Sequence, residues 1–168
     1  RETRQPQSDN RIGLIGLDRA SFQSTLSKLG EPTYRAKQIW HWLYYRGAQT
    51  FEEMTTLPKP LRTRLSDSCS IARPTITRAQ QSNDGSRKWL VRFMDEREVE
   101  CVHIPEEDRG ALCISSQVGC TLTCRFCHTG TQKLVRNLNA GEIINQVLVA
   151  RDTIGEWPSP KGGRMISN

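Results

Sequence analysis

Three cysteines within eight residues constrain this chain more than any other feature of its sequence. Cys120, Cys124 and Cys127 have the spacing C-x3-C-x2-C, and the aromatic residue Phe126 directly precedes the last of them. Three thiolates on one short loop can ligate three irons of a four-iron cluster, which leaves the fourth iron without a protein ligand. Because an open iron can bind and reduce a substrate, the spacing favours a catalytic cluster over one that only carries electrons.

Two other cofactor sites would use some of the same residues. The three cysteines and His128 make a zinc-ligand set, although four ligands this close in sequence crowd a tetrahedral site. Residues 124–128 also match C-x-x-C-H, the attachment pattern of c-type haem. That interpretation leaves Cys120 unexplained and requires export, for which the sequence shows no signal. The iron–sulfur cluster is therefore the favoured interpretation.

The composition predicts a basic, cytoplasmic protein. The net charge is +6, and residues 1–74 carry 12 Lys and Arg against 7 Asp and Glu. Such an excess suits contact with a phosphate backbone, although it also fits an ordinary solvated surface. No apolar run reaches the roughly 18 residues of a membrane span, so no membrane association is expected. In such a chain clustered cysteines indicate metal binding or catalysis, and the isolated Cys69 and Cys101 are predicted to be inert.

The period of the apolar residues changes along the chain and predicts a mixed α+β or α/β fold with three parts. Residues 1–13 are expected to be disordered, and residues 14–74 to form a small helical domain. Its helices are predicted at 18–30, from Pro32 to Gly47, after a capping box of Thr50 and Glu53, and around Leu61 and Leu65.

Residues 75–108 are predicted to form a short antiparallel meander, with strands at 75–80, 87–93 and 98–104 and turns at 83–85 and 95–96. In residues 109–168, a strand at 110–116 leads into the cysteine loop. A helix framed by Asn139 and Glu142 follows, and a further strand is predicted to begin at 164–168. Strand, loop, helix, loop and strand open a parallel βα repeat.

The residues around the cysteines resemble one enzyme family. Residues 120–127 are similar to the cluster loop of radical S-adenosylmethionine (SAM) enzymes. Residues 34–42, 102–109, 112–120, 126–130 and 136–138 resemble the dual-specificity RNA methyltransferase (RlmN) family, which methylates carbon 2 of adenosine in 23S rRNA and in tRNA. The resemblance implies the first part of a partial (βα)6 barrel, with the cluster loop at the C-terminal end of its first strand.

Cofactors and partners follow from this resemblance. It implies a 4Fe-4S cluster on Cys120, Cys124 and Cys127, SAM bound to the open iron, and Phe126 beside the cofactor. It also implies 23S rRNA and tRNA as substrates and an electron donor such as flavodoxin. The family's Gly-Glu-Pro motif and its methyl-carrying cysteine are not in these 168 residues. The chain is therefore expected to be an N-terminal portion that is inactive alone.

Cys113 matches the family's resolving cysteine, whose thiolate attacks the methyl-carrying cysteine to release product and leaves a transient disulfide. Strand alternation puts Cys113, Ser115 and Gln117 on one face, which is expected to point into the barrel, and Leu112 and Ile114 on the other. Without the resemblance, a buried structural cysteine is the favoured interpretation of Cys113.

Glu100 shares a strand face with Val102 and Ile104, and an apolar face raises the pKa of a carboxyl group. By resemblance it occupies the position of the family's active-site glutamate, which removes the proton from the substrate carbon. A solvated edge residue is the alternative.

Basic residues lie among aromatic ones in the helical part, a pattern that suits RNA because bases stack on rings and phosphates attract cations. The predicted RNA contacts are Arg35, Lys37, Arg46, Arg62 and Arg64. The alternative is a helical core with exposed basic residues, and Trp40 is predicted to be core from its spacing with Ile39 and Leu43. Two further functions stay open: a related C8-methylating, antibiotic-resistance enzyme and a non-catalytic RNA-binding module.

Overall fold

The computed structural model describes residues 10–107, 109–120, 133–158 and 165–168. In this part of the chain it has four helices and eight strands. In chain order they are β1 (Ile12–Gly13), α1 (Arg19–Lys28), α2 (Thr33–Tyr44), α3 (Lys59–Ser68), β2 (Cys69–Ser70), β3 (Thr75–Gln81), β4 (Arg87–Arg92), β5 (Glu98–Pro105), β6 (Gly110–Cys113), β7 (Gln117–Val118), β8 (Arg136–Asn137) and α4 (Ala140–Ile154).

The first two helices begin and end where their sequence signals lie. The Asp18 carboxylate accepts a hydrogen bond from the Ser21 backbone N–H at 2.7 Å, which caps α1, and Gly30 follows that helix with a positive φ of 80°. α1 buries Phe22 and Leu26, and these pack in one core with Ile39 and Leu43 of α2. The predicted first, second and last helices of the helical part are confirmed.

Two local predictions in this part are wrong. The Thr50–Glu53 hydrogen bonds form at 3.1 Å, yet the residues after them make successive turns and no helix. Phe51, Met54 and Leu57 recur every third residue and are all buried, so turns already place them in the core. The disorder predicted for residues 1–13 is also wrong at Ile12 and Gly13, because β1 pairs in parallel with β2, 57 positions further along the chain (Ile12 with Cys69). Residues 1–9 lie outside the described residues.

Strands β3, β4, β5 and β6 form one antiparallel sheet in sequential order. Both predicted turns are present: Gly85 has a φ of 85° and Glu96 a φ of 62°. One face of the sheet buries Trp89, Val91, Val99 and Cys101 in a second core, where Leu138 and residues of α4 also pack. On the opposite face the described side chains are exposed or half-buried, as at Lys88, Glu100 and Cys113, and we call it the open face.

The strand predicted at 110–116 is shorter in the structure. Ladder pairing with β5 stops at Cys113, and pairing resumes at β7, whose partner is β8. Asn168 lies along the other edge of β6: its N–H donates to the Gly110 carbonyl at 3.2 Å, and its carbonyl accepts from the Leu112 N–H at 2.8 Å. This is the bonding pattern of a parallel pair. The described residues therefore form a mixed α/β arrangement.

The helical part packs directly on α4. Gly16 and Gly141 approach so closely that a Cβ on Gly16 would lie 2.3 Å from the Gly141 nitrogen. The Arg73 Nε lies 2.9 Å from an oxygen of Asp152, and both side chains are largely buried. Among the described residues, no helix is both long enough and apolar enough to cross a membrane.

Candidate active site

The loop that carries the three cysteines is closed at its base by short pairings. Gln117 pairs with Asn137 and Val118 with Arg136, and Cys120 forms an isolated parallel bridge with Lys133. We call these paired residues, within 117–120 and 133–137, the neck of the loop. Cys120, the first of the three cysteines, is half-buried in the neck. Cys124, Phe126 and Cys127 lie outside the described residues, as do residues 128–130.

Gly119 allows the neck to close. Its φ is 75°, a left-handed conformation that L side chains rarely adopt. A Cβ at this position would lie 2.1 Å from the carbonyl oxygen of Lys133, well inside van der Waals contact. A glycine directly before Cys120 therefore lets the two ends of the loop meet.

A buried amide holds the strand that leads to the neck. Gln146 is fully buried on α4, its Nε2 donates to the Ser115 carbonyl at 2.8 Å, and its Oε1 accepts from the Ser115 N–H at 2.8 Å. Ser115 lies in the gap between β6 and β7, where ladder pairing has stopped. The side chain of Gln146 therefore replaces a neighbouring strand. Sequence reasoning missed it, although a lone glutamine beside the apolar residues of α4 was a usable signal.

Arg136 ties the other side of the neck to two elements. Its guanidinium bonds both oxygens of Glu142, at 2.7 and 2.8 Å, and one oxygen of Asp95 at 2.8 Å. The hydrogen bond from Arg136 is the main cause that lowers the pKa of Glu142, and it also lowers the pKa of Asp95. Glu142 closes the capping box of α4 with Asn139 as well. The start of α4, β8 and the β4–β5 turn are thus held by one cation.

A cleft of about 270 Å³ opens beside the neck on the open face of the sheet. Glu100, Ser115, Gln117 and Gly119 line it together with basic and polar residues of β3 and β4. The Ser115 hydroxyl donates to the Glu100 carbonyl oxygen at 2.9 Å, so this part of β5 is fastened to the strand that continues to Cys120. The cleft therefore joins the predicted glutamate to the base of the cysteine loop.

The apolar surroundings predicted for Glu100 are wrong. The buried face of β5 carries Val99, Cys101 and His103, whereas Glu100 lies on the open face with the exposed Ile104. Its side chain is 37% exposed and its Oε1 lies 3.1 Å from the Lys88 Nζ. Alternation separates the two faces correctly, but only the packing of α4 and Leu138 on one of them decides which is buried.

The two cysteines of the sheet differ in access. Cys113 is exposed and pairs with Val102, so it lies on the same open face as Glu100, one diagonal position away. The Cys101 thiol is buried on the other face, and burial, helped by nearby Cys113, raises its pKa to about 12. Burial also raises the pKa of the Cys69 thiol. The apolar face expected for residues 110–116 is also found, since Leu112 of β6 and Ile114 just after it pack against the second core.

The predicted RNA-contacting cations do not converge on one spot. The Arg62 guanidinium bonds the Glu52 carbonyl at 2.6 Å, and Arg64 is paired with Glu31. Arg35 bonds Gln38, and Arg46 lies over the Trp42 ring. Lys37 is exposed on α2. Trp40, predicted to be core, is half-buried against the first core.

Comparisons with known proteins point to one family. Residues 12–71 match the model of the ribosomal RNA large subunit methyltransferase N-terminal domain. The chain is similar to proteins named dual-specificity RNA methyltransferase RlmN: it is 58% identical to that of Rhodospirillum rubrum, over 97% of this chain and 38% of the relative. It is 54% identical to that of Granulibacter bethesdensis, over 92% of this chain and 39% of the relative.

A solved structure agrees. A radical SAM methyltransferase from Sphaerobacter thermophilus matches with a TM-score of 0.79 and 40% identity, over 86% of this chain and 43% of that one. The chain therefore spans about two fifths of the length of the proteins it matches.

Proposed function

Because the chain belongs to the RlmN family of RNA methyltransferases, of which it holds an N-terminal portion, we propose that it is part of a radical SAM enzyme. The reaction proposed is methylation of carbon 2 of adenosine in 23S rRNA and tRNA. The observation that carries the proposal is Cys120 at the closed neck of a loop whose sequence contains Cys124 and Cys127. The (βα)6 barrel, the cytoplasmic location and flavodoxin as electron donor belong to the same proposal.

The described side of the cluster loop suits a 4Fe-4S cluster. Three cysteines in eight residues are the soft ligand set that iron–sulfur clusters use, and Cys120 is half-exposed beside a glycine that adds no bulk. Cys120, Cys124 and Cys127 would hold the cluster, with Phe126 beside SAM. When bound, cluster and SAM supply the one-electron chemistry that begins methyl transfer.

The chain's own residues prepare the substrate side. Glu100 would accept the proton from the adenine carbon, and its weak, half-exposed contact with Lys88, worth less than about 1 kcal/mol, lets the carboxylate turn toward a substrate. Cys113 would supply the thiolate that resolves the covalent adduct, and its exposure on the same face supports this role. Ser115 and Gln146 hold the strand between these two residues and Cys120.

The first test is anaerobic reconstitution with iron and sulfide, followed by absorbance and EPR with and without SAM. We expect about four irons per chain and an EPR signal that SAM perturbs. Cys120→Ser should lose the cluster, and Cys113→Ser, its matched control, should keep it. Equal iron content in the two variants, or zinc or haem in place of the cluster, would contradict the proposal.

The second test uses the full-length enzyme. Cys113→Ala should trap a protein–RNA adduct, and Glu100→Gln should slow product formation with unchanged iron content. Glu98→Gln is the control, since Glu98 lies on the same strand face but pairs with Arg92. Normal turnover of Glu100→Gln would remove Glu100 from the mechanism. Methylation at carbon 8 would favour the related resistance enzyme, and RNA binding without any methyl transfer would favour the binding module.

A further inference from the structure

A groove of about 580 Å³ lies between α1 and α2, far along the chain from the cysteine loop. Phe22, Trp40 and Tyr44 line its apolar part, and His41 and Tyr45 stand at one side. Its volume lies within the range of small-molecule sites. We call it the α1–α2 groove. It contains neither Glu100 nor any cysteine, so it is separate from the candidate active site.

The aromatic rings of the α1–α2 groove are held by one another. The Trp40 ring meets Phe22 edge-on at 5.2 Å and lies 4.6 Å from Tyr44. His41 and Tyr45 are stacked at 4.6 Å with planes 21° apart. His41 is exposed and Tyr45 half-exposed, so the stacked pair offers a pre-ordered flat surface. Nucleic-acid bases of any sequence can stack on such a ring.

The charges around the groove select an anionic occupant. The Arg19 guanidinium lies 5.4 Å from the Trp40 ring centroid, and the exposed Lys37 stands at the rim. No Asp or Glu occurs among the described residues that line the groove. Flat rings with cations beside them suit a base and its phosphate, whereas a neutral proline-rich peptide would use the rings alone.

We propose that the α1–α2 groove binds one unpaired nucleotide of the RNA substrate, with its base against His41 and Tyr45 and its phosphate near Lys37 and Arg19. The proposal rests on the RNA substrate of the proposed function and adds a second contact site, away from the methylated adenosine. Proteins read single-stranded RNA through bases that are splayed out and stacked on aromatic side chains. Such a site would select RNA with an unpaired segment at a fixed distance from the target adenosine.

The test measures binding of the 168-residue chain to an oligoadenylate of about eight nucleotides and to an abasic oligomer of equal length. Tyr45→Ala should weaken oligoadenylate binding about tenfold and leave the abasic oligomer unchanged, because only the base is stacked. Lys37→Ala should weaken both by similar factors, and Tyr45→Phe should bind like the parent.

Tyr34→Ala and Lys28→Ala are the matched controls. Tyr34 is on α2 and 54% exposed, Lys28 is at the exposed end of α1, and neither lines the groove. Both should change binding less than twofold. Equal effects of Tyr45→Ala and Tyr34→Ala would overturn the proposal, as would equal affinity of the parent for the two oligomers or preference for a proline-rich peptide.

A measurement without substitution covers the case in which Tyr45→Ala does not fold. An oligomer with 5-iodouridine, irradiated with the parent chain, should crosslink to His41, Tyr45 or Trp40. Crosslinks found only elsewhere would overturn the proposal. A chain that forms the SAM-sensitive cluster and binds RNA outside the groove would remove this site and keep the proposed function. A chain that binds no RNA would remove the site together with the RNA part of that function.

Discussion

Replacing Gln146 by methionine tests whether its amide holds the strand before the cysteine loop. Methionine has a similar length and volume, so the change removes two hydrogen bonds to Ser115 without opening a large cavity. Each bond contributes about 1 kcal/mol net, and each partly buried Ser115 group left without a partner costs about 1 kcal/mol or more. We therefore expect the free energy of unfolding to fall by about 2–4 kcal/mol.

Gln146→Glu adds a dependence on pH. A carboxylate can accept from the Ser115 N–H but cannot donate to its carbonyl, whereas the protonated acid can do both. Burial and the carbonyl raise the pKa of the introduced carboxyl above its unfolded value of about 4.3. Because the pKa of the introduced carboxyl is raised in the folded state, its protonated form stabilises the variant fully below a pH of about 4.3. This stabilisation is lost as pH rises through the folded pKa, so the variant is less stable relative to the parent at pH 7 than at pH 4.

Urea unfolding followed by circular dichroism at pH 4 and pH 7 measures both effects. Asn145→Ala is the control: it removes an amide from the same helix whose Oδ1 bonds to no described residue, and should cost less than about 1 kcal/mol. A loss of stability in Gln146→Met no larger than that in Asn145→Ala would contradict this role of the Gln146 amide. An equal difference in stability between Gln146→Glu and the parent at both pH values would contradict it as well.

Three further results are expected. Gly47→Ala should lower the free energy of unfolding by more than about 2 kcal/mol, because its Cβ would lie 2.2 Å from the Trp157 ring. Gly30→Ala is the control: it also lies at positive φ but faces open space, and should cost about 1 kcal/mol. Equal losses of the two variants in chemical denaturation would contradict this prediction. Iodoacetamide at pH 8 should label the exposed Cys113 and spare Cys101, whose buried thiol has a pKa of about 12. Mass spectrometry of the labelled native chain measures which cysteine has reacted, and the urea-unfolded chain is the control. A double-mutant cycle of Arg73→Met and Asp152→Asn should give a coupling free energy of about 1–3 kcal/mol, because the pair is largely buried. The same cycle on the exposed pair of Arg92 and Glu96 should give less than about 1 kcal/mol. Similar coupling free energies for the two pairs would refute the claim that burial strengthens the first.

The sequence predicted the features that a few neighbouring residues determine. The cap of α1 at Asp18, the capping box of Asn139 and Glu142 and the turn at Gly85 are all present. Each depends on a side chain that bonds backbone within three residues, or on a glycine that permits positive φ, so no distant partner is needed. The same locality explains why the Thr50–Glu53 bonds form even where no helix follows.

Features that need distant partners could not be predicted in this way. β1 exists because Ile12 meets Cys69, and β6 stops at Cys113 because Gln146, 33 residues later, takes over the bonding at Ser115. Alternation separated the two faces of β5 correctly but did not show which one is covered. The carboxyl group of Glu100 is therefore in an open cleft and not in an apolar interior.

The sequence alone pointed to the chemistry that we propose for this protein. Thiol ligands and their spacing are properties of eight consecutive residues, and they point to an iron–sulfur loop before any fold is known. The tertiary structure decided how the described base of that loop is held. Gly119 meets Lys133, Gln146 supports Ser115, and Arg136 ties the neck to Asp95 in the β4–β5 turn. These contacts join segments far apart in the chain, and only packing brings such segments together, because side-chain identity by itself does not choose a distant partner.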